Sequence, residues 1–505
     1  MRIVIDLQGA QTESRYRGIG RYSLSITRAL LQQPTEHEFW VMLNDRFPET
    51  IACVENQLAD FLPRSRIRVF EAPGNISRRI ASNTYRAAAA EIIREAFLAE
   101  LEPDVVLITS LFEGYLDDAV TSIGVLGGAK FPTAVVHYDL IPAVRKGYIN
   151  SPEYAEFYQG KLASLQRADL LLAISDHSRN EVTDFLDLST DRVISISAAV
   201  DERFKGGRTT EANRKTEFGD LGIKSQYVLY IPGGFDPRKN IYTLFEAYSK
   251  LPIALRERYQ LVIGSKASIH AEGECQAAAE LAGLADTEWV LTGYVESSRL
   301  VDLYRGSTLF VFPSLHEGFG LPLLEAMTLG VPCIASSTTS VGEVMGSRAY
   351  SFDPEDAGKI AAKLSRALQD EAWRAEVARY CVTRASDFSW QRTAQLAITA
   401  VENMLKNRSR TDADLRASSR LSRRIISDAI TESSADLGLS EDDFRATRVD
   451  IDTKADEEGI SLELAAREAR YAWFATLANE LSCPRVILGH HADDQVETVI
   501  MNFFR

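Results

Sequence analysis

The feature that most constrains this chain is an alternation of short apolar runs with helical stretches, which happens twice. Apolar runs fall at residues 3–7, 39–43, 67–70, 105–109, 133–137, 170–174 and 193–196. Several are unbroken rather than alternating, the pattern of parallel strands covered on both faces. Helical patterns, such as 22–31 and 85–98, lie between them. Strand–helix alternation predicts a doubly wound α/β unit. A polar, charged stretch at 205–225 interrupts the pattern, which then restarts with runs at 227–231, 261–263, 289–292, 309–312 and 333–335. The reading is therefore two Rossmann-like α/β domains in series, 1–205 and 206–388. Ligands of such sheets bind beyond the carboxyl ends of the strands, so two facing domains place the site in the cleft between them. A helix at 389–406 follows, with Trp390, Ala394, Ala397, Val401 and Met404 on one face; it is assigned to pack back on the first domain. Residues 407–443 are polar and Arg-rich and read as a linker. Residues 444–505 form a separate α/β piece.

Composition narrows the function classes. The 505 residues carry a formal net charge of −15, with 45% hydrophobic and 25% charged residues. That is ordinary soluble globular composition, and the length suits two to four domains. The acidic total argues against coating nucleic acid by charge alone and fits a pocket for a small anionic ligand. The five cysteines, Cys53, Cys275, Cys333, Cys381 and Cys483, show no metal or redox spacing and read as reduced thiols of a cytoplasmic protein. The first residues, MRIVIDLQGAQ, do not read as a signal peptide. No apolar run approaches the roughly 20 residues that span a bilayer. The expectation is a cytoplasmic protein, at most peripheral to the inner face of a membrane.

Four segments carry chemistry. In PSLHEGFGLPLLEAM (313–327), a strand leads through Glu317 into Gly318-Phe319-Gly320, and a helix opens with Glu325 in its first turns. Glycines let backbone amides approach a phosphate, and a helix start favours negative charge. Glu317 faces the cleft, and Glu325 is within reach of ribose hydroxyls. A surface turn with two solvated glutamates is the plain alternative, weakened by the full strand–Glu–glycine–helix order. In YVLYIPGGFDPRKNI (227–241), Arg238 and Lys239 stand at a helix start, where cations suit a departing diphosphate. A charged turn is the competing reading. In RYRGIGRYS (15–23), Gly18 and Gly20 permit close backbone approach, although a plain turn reads equally well. In VVHYDLIP (135–142), His137 ends a strand with Asp139 just beyond it, both at the cleft and both open to a structural role instead.

These segments carry a family resemblance. GIGRY, HYDLIP, AISDHSRNEV, AVDERF, GGFDPRKNI, HEGFGLPLLEAM and TSVGEV, in that order over residues 1–405, resemble glycosyltransferase family 4 enzymes of the GT-B fold. The GIGRY and DLIP segments are most similar to those of bacterial mannosyltransferases of polysaccharide assembly. The resemblance implies retaining transfer of a hexose from a nucleotide sugar, GDP-mannose, to a hydroxyl of a saccharide or lipid-linked acceptor. It implies no separate cofactor and no metal held by an Asp-x-Asp motif. By the same resemblance Glu317 contacts the donor sugar, Glu325 the ribose and Lys239 the diphosphate. His137, with Asp139, lies near the reaction centre. The amides of Gly318, Phe319 and Gly320, followed by Leu321, and the glycines Gly18 and Gly20, lie on the donor side. Many relatives carry an Arg five residues before the Lys; here Gly234 stands there and Arg238 substitutes for it.

The tail differs. LELAAREARYAWF and GHHADDQVETVIMNFFR resemble tRNA lysidine synthetases of the PP-loop ATPase superfamily. The resemblance would place Arg467, Arg470, His491, Asp493 and Asp494 at an ATP site. The Ser-Gly-Gly-x-Asp-Ser phosphate loop that should precede them is absent from residues 407–443, so the tail reads as an appended fragment without ATPase activity. The competing functions are an ATP-dependent tRNA ligase, resting on the tail alone, and a non-catalytic sugar-nucleotide binding module.

Overall fold

A computed structural model describes residues 1–126, 131–204, 218–223, 226–266 and 268–411. Seven strands build the first sheet: β1 (Arg2–Asp6), β2 (Glu38–Asn44), β3 (Ile67–Phe70), β4 (Val105–Ile108), β5 (Thr133–His137), β6 (Leu170–Ala173) and β7 (Val193–Ser195). Their spatial order is β3-β2-β1-β4-β5-β6-β7, and every pair is parallel. The second sheet holds β8 (Gln226–Tyr230), β9 (Tyr259–Ile263), β10 (Trp289–Leu291), β11 (Leu309–Phe312), β12 (Cys333–Ser336) and β13 (Ser351–Phe352). Its order, β10-β9-β8-β11-β12-β13, repeats that winding, again wholly parallel. In each sheet the order reverses between two central neighbours, β1 and β4 or β8 and β11. The crevice at their carboxyl ends is the expected ligand position.

The unbroken apolar runs have the cause the pattern implies. In β1, Ile3 and Ile5 join one core cluster, and Val4 joins the other. In β4, Val105 and Leu107 face one way and Val106 and Ile108 the other. Successive side chains of a strand point to opposite faces, so both faces need apolar cover. Strand bounds lie within about two residues of those read from sequence. Two-residue β13 carries too little pattern to be read. The helix expected at 22–31 spans Gly18–Leu31. Gly18 and Gly20 therefore open a helix rather than sit in a free loop.

The chain returns to the first sheet at its far end. Helix Trp390–Thr411 buries Ala394, Ala397 and Val401. Trp390 Nε1 donates to Val200 O at 3.1 Å, and its ring meets Tyr22 edge-on at 5.0 Å between centroids. Glu402 pairs with His37 at 3.0 Å and Arg408 with Asp169 at 2.6 Å. Among the described residues, no helix is long and apolar enough to cross a membrane.

One ion pair lies inside the first sheet's layers. Arg94, on helix Thr84–Glu100, reaches Asp6 at the end of β1, with Nε at 2.9 Å and Nη2 at 2.5 Å from Oδ2. Both side chains are fully buried. Gln8 and the Ser122 carbonyl satisfy the remaining polar atoms. Removing one partner of such a pair leaves a bare buried charge, whereas replacing both leaves none. Arg94→Met is therefore expected to cost about 3–5 kcal/mol in denaturant unfolding. The double variant Asp6→Leu/Arg94→Met should cost less than the single one.

Candidate active site

The site is assembled where β8 and β11 end side by side. Beyond β8 the chain turns through Pro237–Lys239, and Asn240 takes a left-handed conformation, φ 61°. The Asn240 amide donates to the carbonyls of Pro313 (3.0 Å) and Pro354 (2.7 Å). Leu315 N donates to Arg238 O at 2.7 Å. The turn after β8 is thus laced to the segment after β11, and Arg238 and Lys239 come against Glu317. Lys239 Nζ lies 2.7 Å from Glu317 Oε1, and Arg238 Nη1 lies 2.5 Å from Oε2. Arg238 also donates to His316 O at 2.9 Å, and its Nε is 2.9 Å from Asp236. Glu317 and Lys239 are buried. Burial opposes ionisation of Glu317, but the charges of Lys239 and Arg238 outweigh it and hold the carboxyl below its ordinary value.

The glycine segment next to it is gripped by the first domain. Ser175 Oγ donates to Gly318 O at 2.7 Å and Ser178 Oγ at 3.0 Å. A Cβ on Gly318 would fall 2.6 Å from Tyr138 O, so a larger residue would force this contact apart. Phe319 is buried against Phe388, edge-on at 5.8 Å. Gly320 has φ +106°, which a side chain rarely tolerates. It opens helix Leu321–Thr328. On that helix Glu325 is buried. It accepts from Tyr304 Oη at 2.9 Å and faces Arg21 of the first domain at 3.3 Å. Burial pushes its carboxyl above the usual value despite Arg21 and Tyr304.

Glu317, Gly318, Phe319, Gly320, Leu321, Arg238 and Lys239 are thus brought together, with Glu325 one helix turn further on. Gly18 faces Leu321 across the cleft, its position for a Cβ 3.8 Å from Leu321 Cδ1. Gly20 is turned away. A Cβ there would meet Arg15 Cα at 2.3 Å and Ser14 O at 2.4 Å, so its vacancy admits the chain itself rather than a ligand. His137 ends β5 and is buried, its Nε2 without a hydrogen-bond partner. Burial pushes its pKa down to about 4, so the ring is neutral at physiological pH. Asp139 is half-buried beside Gly318, accepts from Ile141 N at 3.1 Å, and is raised in pKa by burial. Arg467, Arg470, His491, Asp493 and Asp494 lie outside the described residues.

Several site residues escaped sequence reasoning. Arg21, Tyr304 and Arg145 are far in sequence from the motif residues they touch, whereas Asp236 stands two positions before Arg238 inside the same motif. Arg145 Nη2 donates to Leu315 O at 3.1 Å. Ser175 and Ser178 do lie inside the SDHSR string, where the signal available was a helix start opposite a glycine segment. Glu343, on helix Thr339–Met345, accepts from the amides of Asp176 and His177, both at 3.0 Å. It thereby caps a first-domain helix from the second domain.

The two glutamates should respond oppositely to neutralisation. Glu317 titrates lower in the fold than in the unfolded chain, so its stabilisation is present above the ordinary carboxylate range and lost as pH falls. Glu325 titrates higher, so its contribution is present at acid pH and lost as pH rises. At pH 7, Glu317→Gln is expected to lower the melting temperature and Glu325→Gln to raise it. Thermal unfolding of the two variants beside the parent checks both signs.

Comparison with known proteins bears on the fold and on the likeness of its two parts. Residues 213–386 match the family model for glycosyl transferases group 1, and residues 375–505 match that of the PP-loop domain. The chain is 36% identical over 415 residues to the serotype-specific mannosyltransferase WbdA of Escherichia coli, covering 82% of this chain and 49% of that protein. The chain thus spans about half the length of the curated relative it matches. Over 71 residues it is 48% identical to tRNA(Ile)-lysidine synthase of Porphyromonas gingivalis, 14% of this chain and 16% of that protein. Among solved structures it is similar to Anabaena Alr3699/HepE in complex with UDP and glucose, with TM-score 0.54 and 16% identity over 82% of this chain and 100% of that one. At that identity the likeness speaks to the fold. The two facing parallel sheets are those of the GT-B fold, and residues 213–386 are similar to the group 1 glycosyl transferases.

Proposed function

We propose that this chain is a retaining hexosyltransferase that moves mannose from GDP-mannose to a hydroxyl of a saccharide or lipid-linked acceptor during polysaccharide or glycolipid assembly. The observation that carries the reading is the buried cluster of Glu317, Arg238 and Lys239 at the adjoining ends of β8 and β11. The relatives named mannosyltransferases and the neighbour bound to UDP and glucose support the substrate class.

In this reading the reaction needs charge stabilisation more than a strong base. The anomeric carbon turns cationic while the diphosphate gains negative charge. Arg238 and Lys239 offset the charges of Glu317 and Asp236, and the helix start at Leu321 adds partial positive charge beside them. The two cations and that helix start suit a pyrophosphate, with the amides of Gly318, Phe319 and Gly320 beside it. Glu317 holds the sugar. Glu325 takes the ribose hydroxyls in place of Arg21. His137, neutral, offers Nε2 to a sugar hydroxyl, with Asp139 beside it. Closing the lobes keeps water from the reaction centre. No cofactor beyond the donor is needed, and contact with the membrane is peripheral, from the cytoplasmic side. The tail contributes no ATP-dependent chemistry, because it lacks the phosphate loop.

A panel of GDP- and UDP-linked sugars in a thermal-shift assay tests this. At about 100 times its Kd a true donor adds about 2.7 kcal/mol to stability, and GDP-mannose should give the largest rise. Glu317→Ala and Lys239→Ala should each reduce sugar transfer roughly 10²–10³-fold. A panel in which no nucleotide sugar raises the melting temperature, or a Glu317→Ala variant with undiminished transfer, overturns the proposal. His137 should add no limb to the pH–rate profile above about pH 5, since its ring is already deprotonated there.

A further inference from the structure

Beside the site, three side chains from both domains converge on one point. His177 and Glu181 stand one turn apart on helix Asp176–Leu186 of the first domain, so their side chains share a face. His316 belongs to the second domain, one residue before Glu317. One nitrogen from each imidazole and one oxygen of Glu181 all lie within 4.8 Å of one another. His316 Nε2 is 3.1 Å from Glu181 Oε1, and His177 Nε2 is 3.6 Å from the same oxygen. Neither nitrogen has a hydrogen-bond partner, and His316 is 5% exposed. A buried nitrogen aimed at a carboxylate without a hydrogen bond calls for another partner.

We propose that His177, Glu181 and His316 form a binding site for a Zn²⁺-class transition-metal ion that clasps the two domains together. Two imidazoles and one carboxylate are a favoured donor set for zinc, with a fourth position left for water. Zinc bonds of about 2.0–2.2 Å place ligand atoms of a tetrahedron roughly 3.4 Å apart; the spacings of 3.1 and 3.6 Å lie on either side of that. Glu181 is oriented for the role, since its Oε2 accepts from Leu140 N at 3.0 Å and leaves Oε1 to the imidazoles. A metal on Nε2 puts the proton of His316 on Nδ1. The contact from Arg145 Nε to Nδ1, 3.4 Å and long for a hydrogen bond, then gives way. Arg145 keeps its bond to Leu315 O. The ion does not touch the diphosphate cations. It fixes the backbone of His316, whose carbonyl receives Arg238, and so holds closure rather than performing transfer.

The test is zinc titration of the full chain against a chromophoric chelator. His490 and His491 are both changed to alanine beforehand, so that tail histidines do not contribute. One equivalent of Zn²⁺ at micromolar affinity or tighter is expected, together with a zinc-dependent rise in melting temperature. His177→Ala, a half-exposed position that folding tolerates, should weaken binding at least about 100-fold and abolish the rise, and His316→Gln should do the same. Absence of stoichiometric uptake, or uptake unchanged by both substitutions, overturns the proposal. The readout is metal binding alone, so failure here leaves the assignment of the transfer site untouched.

Discussion

One buried carboxylate organises the second domain's working edge. Glu317 sits between two cations contributed by a neighbouring strand's loop. Burying three charges is costly, and such clusters are weak sources of net stability. What the arrangement supplies is position. Lys and Arg side chains are long and rotamer-rich, and here each is held by one oxygen of the same carboxylate. The backbone ties from Asn240 and Leu315 make the register of the two loops unique before any ligand arrives. Preorganised charge of this kind acts on a reaction without reorganising when the reaction occurs.

The same segment is the contact through which the domains meet. The carbonyl of Gly318 is held by two serines at the start of a first-domain helix, and Glu343 caps that helix in return. Arg21 crosses the cleft to Glu325. The residues of the candidate site are therefore also residues through which the two domains touch. In the proposed transfer these contacts would couple donor binding to closure and so exclude water.

Much of this was legible in the chain, for definite reasons. Unbroken runs such as 105–109 and 170–174 announce strands because both faces of a parallel sheet are buried, as the opposed packing of Val105 and Val106 illustrates. Glu317, Lys239 and Glu325 were legible because each sits next to a strand end or helix start marked by glycine or proline. What was not legible is what depends on distant pairing. Arg21 meets Glu325 across 304 positions, and nothing local to either residue announces it. His177, Glu181 and His316 look like three unrelated polar residues until the fold closes. Gly20 misled for a related reason. Its missing side chain makes room for the chain's own Arg15, and a sequence shows that a glycine needs space without showing what fills it.

The helix Trp390–Thr411 has a consequence in time as well as space. It covers the first sheet, docking Trp390 on Val200 O and Tyr22, yet it is made only after the whole second sheet. Translation at about 5–20 residues per second leaves roughly 10–40 s between emergence of β7 and arrival of this cover. During that interval the nascent amino-terminal half carries the apolar groove that Ala394, Ala397 and Val401 later fill. The first sheet thus waits with that groove open to solvent through the middle of the chain's own synthesis, and its cover arrives only after the second sheet has been made.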